Sequence, residues 1–294
     1  MKIFFIIFTV FLATAILIGG GQLMPIPKNF VYYLWWRTTA SGIAQKGSIR
    51  VEGTDIHYRY YGNGSPVLLL HGGLSHRLSW FSQVSWLVES GRKVILIDSR
   101  GHGDSGLGDN ALSYRLLAAD AVHILDQLDI QQTDVIGWSD GANTALFLAR
   151  YWPQRVGKVV AISGNFDPSG IKPEAQEDNN IRSSGLSYWL KRWWTGAGEQ
   201  FLELEDKIKH LWQNGPKLEA DDLRGITTPI MVIIGEHDLI KLTHAHDMAA
   251  LLPQGQLEII QDGGHTTLMT HAPQINQLIS KFLTIPNING TKQP

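Results

Sequence analysis

From about Ser48 the chain repeats one rhythm: a short apolar run, a polar loop, then a longer stretch with apolar positions at three- and four-residue spacing. The runs 66–70, 93–97, 133–136, 156–162, 229–235 and 256–260 read as buried strands. Helical spacing follows at 78–90, 114–128, 142–152, 243–251 and 273–282. Ile49 to Val51 and Ile56 to Tyr61 read as a leading hairpin that turns at Gly53-Thr54-Asp55. Strands alternating with helices predict right-handed crossovers and a mostly parallel central sheet flanked by helices, an α/β fold. Ligands on such sheets sit beyond the carboxyl ends of the strands, where the polar motifs of this chain fall.

One segment breaks the rhythm. Between Ser163 and Thr228 no core strand is evident, and helix-like runs lie near 186–194 and 201–212. The pattern predicts a helical lid, 164–228, inserted into a core made of 48–163 and 229–284, with 285–294 as a tail. Four of the ten tryptophans fall in the lid: Trp189, Trp193, Trp194 and Trp212. The plain reading packs them between lid and body. The sharper one has some of them lining an apolar pocket.

The first residues differ in kind. Residues 3–18 carry no charge, follow Met1-Lys2 and precede Gly19-Gly20-Gly21, which suits a signal peptide. Counted on to Met24, the segment also reaches bilayer length, so 1–24 is read as a signal peptide or membrane anchor. Residues 25–47 then read as a juxtamembrane aromatic and basic linker, with Phe30 to Trp36 as an interfacial belt and Arg37 as its anchor. Membrane association through 3–36, and an exported or anchored location, are the expectations. Basic residues on both sides leave the orientation undetermined.

Composition narrows the chemistry. A 294-residue chain with 44% hydrophobic and 18% charged residues has ample core and suits one large domain with an insertion, or two small domains. A net charge of −2 offers no field for nucleic acid. Absent cysteine excludes disulfides, thiol catalysis and Cys-ligated metals.

Gly137-Trp138-Ser139-Asp140-Gly141 is a G-x-S-x-G element between a strand-like and a helix-like run. A serine on such a turn is strained, projects from the sheet and sits at a helix N-terminus. Its hydroxyl needs a base and the base an orienting acid. His265, in Asp262-Gly263-Gly264-His265, is the best base, and Asp238, in Gly235-Glu236-His237-Asp238, the best acid. Glu236 ranks second, and Asp167, after the preceding strand, is the alternative acid. The order Ser139, Asp238, His265 is the order this architecture requires. Backbone N–H groups of Gly73 and Asp140 are the expected oxyanion donors, with Leu74 as neighbouring candidate for the former.

His71 and His102 read as loop-holding residues, and His244 and His246, two apart on a helix, point to different faces and suggest no metal pair. The Asp140 carboxylate reads first as a helix-dipole partner and second as an attractor for a substrate ammonium.

Together the loop His71-Gly72-Gly73, Asp98-Ser99-Arg100-Gly101-His102-Gly103-Asp104-Ser105, the serine turn, Gly235-Glu236-His237-Asp238 and Gly264-His265 resemble the α/β-hydrolase fold superfamily. The likeness covers about 48–284 and is to its lidded serine hydrolases, the esterases and valacyclovir-hydrolase-like enzymes. The resemblance implies a hydrolase of a small-molecule acyl substrate, without metal or organic cofactor. Ester cleavage through an acyl-enzyme is the first expectation. A membrane-associated lipid or acylglycerol hydrolase and a non-catalytic binding protein on the same fold are the rivals. For the N-terminal segment the anchor reading predicts that the intact mass of the mature protein retains residues 1–21; a mass lacking them identifies a cleaved signal.

Overall fold

The computed structural model describes residues 25–180 and 183–285. It opens with helix α1 (Pro25–Trp36) and a 3-10 turn (Ala40–Gly42). Eight strands follow: β1 (Gln45–Val51), β2 (Thr54–Tyr61), β3 (Ser65–Leu70), β4 (Arg92–Ile97), β5 (Thr133–Trp138), β6 (Val156–Ile162), β7 (Ile230–Gly235) and β8 (Gly255–Ile260). They form one sheet in the order β1-β2-β4-β3-β5-β6-β7-β8. The pairings β1–β2 and β2–β4 are antiparallel and all the others parallel. The expected hairpin therefore adds the antiparallel edge, with its turn at Glu52-Gly53, one position earlier than the pattern suggested.

The apolar runs are continuous because both faces of the central strands are covered. In β7, Ile230, Val232 and Ile234 enter one core, while Met231 and Ile233 enter the other. The first core is closed by α3 (Tyr114–Gln127), α4 (Asp140–Tyr151), α9 (Leu242–Leu251) and part of the lid. The second is closed by α1, α2 (Val84–Glu89), α10 (Thr267–Thr270) and α11 (Ala272–Leu283). The stretch expected as one helix over 78–90 splits into a 3-10 turn (Arg77–Trp80) and α2. Gln83 sits at the break. Its buried amide donates to the Leu268 carbonyl at 2.9 Å and to Asn276 at 3.1 Å, which ties this corner to α10 and α11.

The lid consists of α5 (Pro173–Asn180), α6 (Gly185–Thr195), α7 (Phe201–Asn214) and α8 (Ala220–Arg224). Phe201, Leu204, Ile208 and Leu211 of α7 are buried in the first core, so this helix fastens the lid to the body. Among the lid tryptophans, Trp194 packs beside His76 at 5.4 Å and Trp212 reaches inward. Trp189 and Trp193 do neither; both face outward.

The region expected as linker, 25–47, is folded instead. Tyr33 and Trp36, three apart, fall on one face of α1 and are buried in the second core, with Trp36 5.3 Å from the Tyr61 ring. Val31 and Trp35 remain exposed. No helix of the described residues is long and apolar enough to cross a membrane. The signal or anchor expectation for 1–24, and most of the tail, lie outside the described residues.

Trp36 is 2% exposed and Trp35 60%, so their truncations should separate. Trp36→Ala is expected to cost about 3–5 kcal/mol of unfolding free energy. Trp35→Ala should stay within about 0.5 kcal/mol of wild type. Urea titration of the full chain measures both.

Candidate active site

Ser139 joins β5 to α4 with φ 54° and ψ −120°, a conformation that costs a non-glycine residue about 1–3 kcal/mol. The turn fits only because its neighbours lack side chains. A Cβ at Gly137 would strike the Gly141 carbonyl, and one at Gly141 the Leu70 carbonyl of β3. The result points the Ser139 hydroxyl away from the strand end. The Asp140 N–H then lies in the first turn of α4, where no intrahelical acceptor exists.

Two loops bring polar groups to this point. His265, in the loop after β8, places Nε2 3.0 Å from Ser139 Oγ. Its Nδ1 lies 2.7 Å from Asp238 Oδ1, in the loop after β7. A carboxylate facing Nδ1 fixes the proton there and leaves Nε2 as the acceptor for the serine hydroxyl. Asp238 is buried, which pushes its carboxyl up. The hydrogen bond and charge of His265, the Ser163 hydroxyl at 2.5 Å and the Ile240 N–H at 3.1 Å outweigh this and hold it below the usual carboxylate range. The acid is therefore ionised at neutral pH. The Trp138 indole N–H donates to the His265 carbonyl at 2.8 Å and steadies the histidine loop.

Ser163 was not singled out by the chain pattern. It closes β6, next to β5, at the carboxyl edge where the other polar groups converge. That position is the signal that identifies it.

Asp140 is the buried acid directly after Ser139. Its carboxylate accepts the Tyr114 hydroxyl at 2.8 Å and the Trp212 indole N–H at 2.9 Å. Burial pushes its carboxyl up, and the Trp212 and Tyr114 hydrogen bonds only partly oppose this. Neither partner is legible from spacing: Tyr114 opens α3 and Trp212 sits in the lid. The contact joins core, serine turn and lid at one carboxylate. It also crowds Gly73, where a Cβ would collide with Asp140 Oδ2.

The loop around Gly73 is held by two neutral histidines. His71 Nε2 accepts the Ser99 N–H at 3.0 Å, and His102 Nε2 accepts the Leu74 N–H at 3.1 Å. Burial and the adjacent His102 ring keep His71 well below the usual imidazole value, and burial holds His102 down to about 4. Both rings serve the loop. Because the Leu74 N–H is engaged with His102, Gly73 is the better placed second donor of the two residues considered.

The other polar candidates lie elsewhere. Asp167 accepts the Ser169 N–H at 2.7 Å and lies 3.9 Å from His244, with no hydrogen bond to His265 among the described residues. Glu236 accepts the Asp262 N–H at 3.1 Å on the surface. His244 is buried, stacks on Phe166 at 4.0 Å and accepts its N–H at 3.1 Å, whereas His246 is exposed. Among the described residues, three ligand-type side chains converge at exposed Glu236, His237 and Asp262, within 4.8 Å of one another. Exposed trios of this kind are common without an ion.

Ser139 and His265 open onto a cavity of about 160 Å³ walled by Trp138, Trp212, Ile171, Leu239 and Ile240. Asp140 and Asn165 add polar groups to its lining, and a space of roughly 150 Å³ takes a benzene-sized group. The arrangement can therefore present a small carbonyl compound to a hydroxyl backed by a base, in a space that Gly73 and Asp140 also line.

Residues 67–277 match the alpha/beta hydrolase family, and the chain belongs to that family. It is 29% identical over 265 residues to a putative non-heme chloroperoxidase of Synechocystis sp., covering 78% of this chain and 95% of that protein. It is also 29% identical over 268 residues to a 2-hydroxy-6-oxononadienedioate/2-hydroxy-6-oxononatrienedioate hydrolase of Escherichia coli, covering 79% and 91%. The meta-cleavage product hydrolase from Pseudomonas fluorescens shares the fold, with a TM-score of 0.73 at 20% identity over 81% of this chain and 97% of that one.

The raised pKa of Asp140 gives a sign that can be measured. A carboxyl whose folded pKa exceeds its unfolded value, about 3.9, loses stability for the protein as pH rises from there through the folded value. Asn at that position does not titrate. The unfolding free energy of Asp140→Asn relative to wild type should therefore rise with pH across that window, as followed by urea titration.

Proposed function

We propose that this chain is a serine hydrolase that cleaves a carboxylic ester of a small acyl group through an acyl-enzyme on Ser139. The observation that carries the reading is the hydrogen-bonded series from Asp238 through His265 to Ser139 Oγ, 2.7 Å and 3.0 Å long, at the mouth of a cavity with apolar and polar walls. As Oγ attacks the carbonyl carbon, His265 Nε2 takes the hydroxyl proton and Asp238 balances the imidazolium. Negative charge moves to the carbonyl oxygen, where the Gly73 and Asp140 N–H groups receive it. One such donor is worth about 10²–10³ in rate. The imidazolium then gives its proton to the departing alkoxide, releasing the alcohol and leaving acyl-Ser139. Water, deprotonated by the same nitrogen, attacks the acyl carbon, and the proton returns to Ser139.

An ester is the first choice because an alkoxide leaves more readily than an amide nitrogen or a carbon group, although the same histidine acid serves all of them. The relatives' names give two different chemistries, chloroperoxidase and 2-hydroxy-6-oxononadienedioate hydrolase, so the bond is chosen on this chain's own groups. The cavity size favours short acyl chains. Buried Asp140, already bonded by Tyr114 and Trp212, fits a positioning role better than capture of a substrate ammonium.

Turnover of p-nitrophenyl esters from acetyl to palmitoyl tests the reading. Short acyl chains should be hydrolysed fastest, and Ser139→Ala should lower kcat by at least about 10³-fold. Ester turnover that survives Ser139→Ala, or none on any chain length, overturns it. Trp212→Phe, which keeps a ring but removes the donor to Asp140, should lower kcat roughly tenfold with a smaller change in KM, as about 1.5 kcal/mol of charged hydrogen bonding is lost.

A further inference from the structure

Helix α6 turns its apolar stripe outward. Leu186, Trp189, Leu190 and Trp193 recur at i, i+3, i+4 and i+7 and are 74%, 62%, 52% and 59% exposed. At 3.6 residues per turn they fall within an arc of about 100°. The opposite face carries buried Thr195 and Tyr188, whose ring meets Phe201 of α7 edge-on at 5.5 Å. The helix is thus seated by the face that carries Tyr188 and Thr195 and offers the apolar stripe to its surroundings. A contiguous apolar patch of this kind marks an interaction surface.

Its charges indicate the partner. Helix α6 has no acidic residue, and Lys191 and Arg192 flank the stripe on its two sides. The Arg192 guanidinium lies 5.5 Å from the Trp189 ring centroid and donates to the Tyr188 hydroxyl at 3.1 Å; Lys191 stands 4.0 Å from Glu205. Tryptophan and leucine between cationic flanks is the composition of a helix that lies in the headgroup layer of a bilayer.

A neighbouring element agrees. Trp194, at the end of α6, packs beside His76, and Phe81, at the other end of the same 3-10 turn, meets Phe30 of α1 edge-on at 5.4 Å. Helix α1 exposes Val31 and Trp35 and directly follows residues 1–24, which contain the uncharged apolar run 3–18. No acidic residue precedes Glu52, whereas Lys2, Lys28, Arg37, Lys46 and Arg50 do. Both elements are complementary to an anionic surface. A second copy of the chain is a poor occupant, because an isologous pairing of two α6 faces sets the Lys191 and Arg192 of one among those of the other.

We propose that the outward face of α6 docks on an anionic phospholipid bilayer. Leu186, Trp189, Leu190 and Trp193 enter the acyl boundary, and Lys191 and Arg192 meet the headgroup phosphates. The docking does not depend on residues 1–24 or on the reaction catalysed.

The chain has no cysteine, so a single introduced thiol can be labelled in the full-length protein. Leu186→Cys carries an environment-sensitive fluorophore; Gln131→Cys, before β5 and at the opposite end of the sheet, is the reference. Vesicles of phosphatidylcholine with phosphatidylglycerol should shift the emission at 186 to the blue and expose it to lipid-borne quenchers. Pure phosphatidylcholine should shift it less, and the label at 131 should not respond. Adding Trp189→Ser and Leu190→Ser should abolish the shift at 186. Protein that sediments with vesicles while the label at 186 stays aqueous overturns the proposal, as does a shift that survives the two serine substitutions. A shift without vesicles that grows with protein concentration assigns the face to a second copy and also overturns it.

Discussion

Ser139 is held at φ 54° between a strand and a helix that are both buried, and the remainder of the site follows from that constraint. In the extended or helical region the hydroxyl would leave the strand edge and the Asp140 N–H would lose its free position. The strain of about 1–3 kcal/mol is small beside the burial it connects. Each fully buried Ile, Val or Leu contributes about 1.5–3 kcal/mol, and β5 and α4 hold several, among them Val135, Ile136, Leu146 and Leu148. The sheet is rigid enough to keep one residue in an unfavourable backbone well. Glycines at 137 and 141 let the two elements approach that closely.

Around that turn the protein uses its two buried carboxylates differently. Asp238 is met by donors from His265, Ser163 and Ile240, so its charged form is favoured and can orient and balance an imidazolium. Asp140 receives Tyr114 from the core and Trp212 from the lid, which is too little to offset its burial. It acts as the junction of three parts of the fold, directly beside the candidate nucleophile. The lid and the Gly73 loop thus meet at the same carboxylate.

The strands and the Ser139, Asp238 and His265 cluster were legible because their signals are local. An apolar run ending at a polar residue marks the carboxyl edge of a parallel sheet, whichever strand it pairs with; β6 begins and ends where the pattern put it, at Val156 and Ile162. Features that depend on distant partners were not. The aromatic run 30–36 reads equally as a membrane belt or as a core face, and only the surface offered by Tyr61 and Phe81 decides for the core. Gln83, at the break before α2, is tied to Leu268 and Asn276, which lie far along the chain. Tyr114 and Trp212 carry no spacing that connects them to Asp140, and the lid tryptophans divide by what lies beside them: Trp212 and Trp194 meet the body, while Trp189 and Trp193 face outward.

The central claim is that Ser139 is a nucleophile made reactive by His265. A fluorophosphonate probe reads that chemistry without assuming any substrate. The account predicts one covalent adduct per chain, localised by peptide mass spectrometry to Ser139 and formed far more slowly in His265→Ala. An adduct on a different residue, or a Ser139 that reacts equally fast without His265, would contradict it.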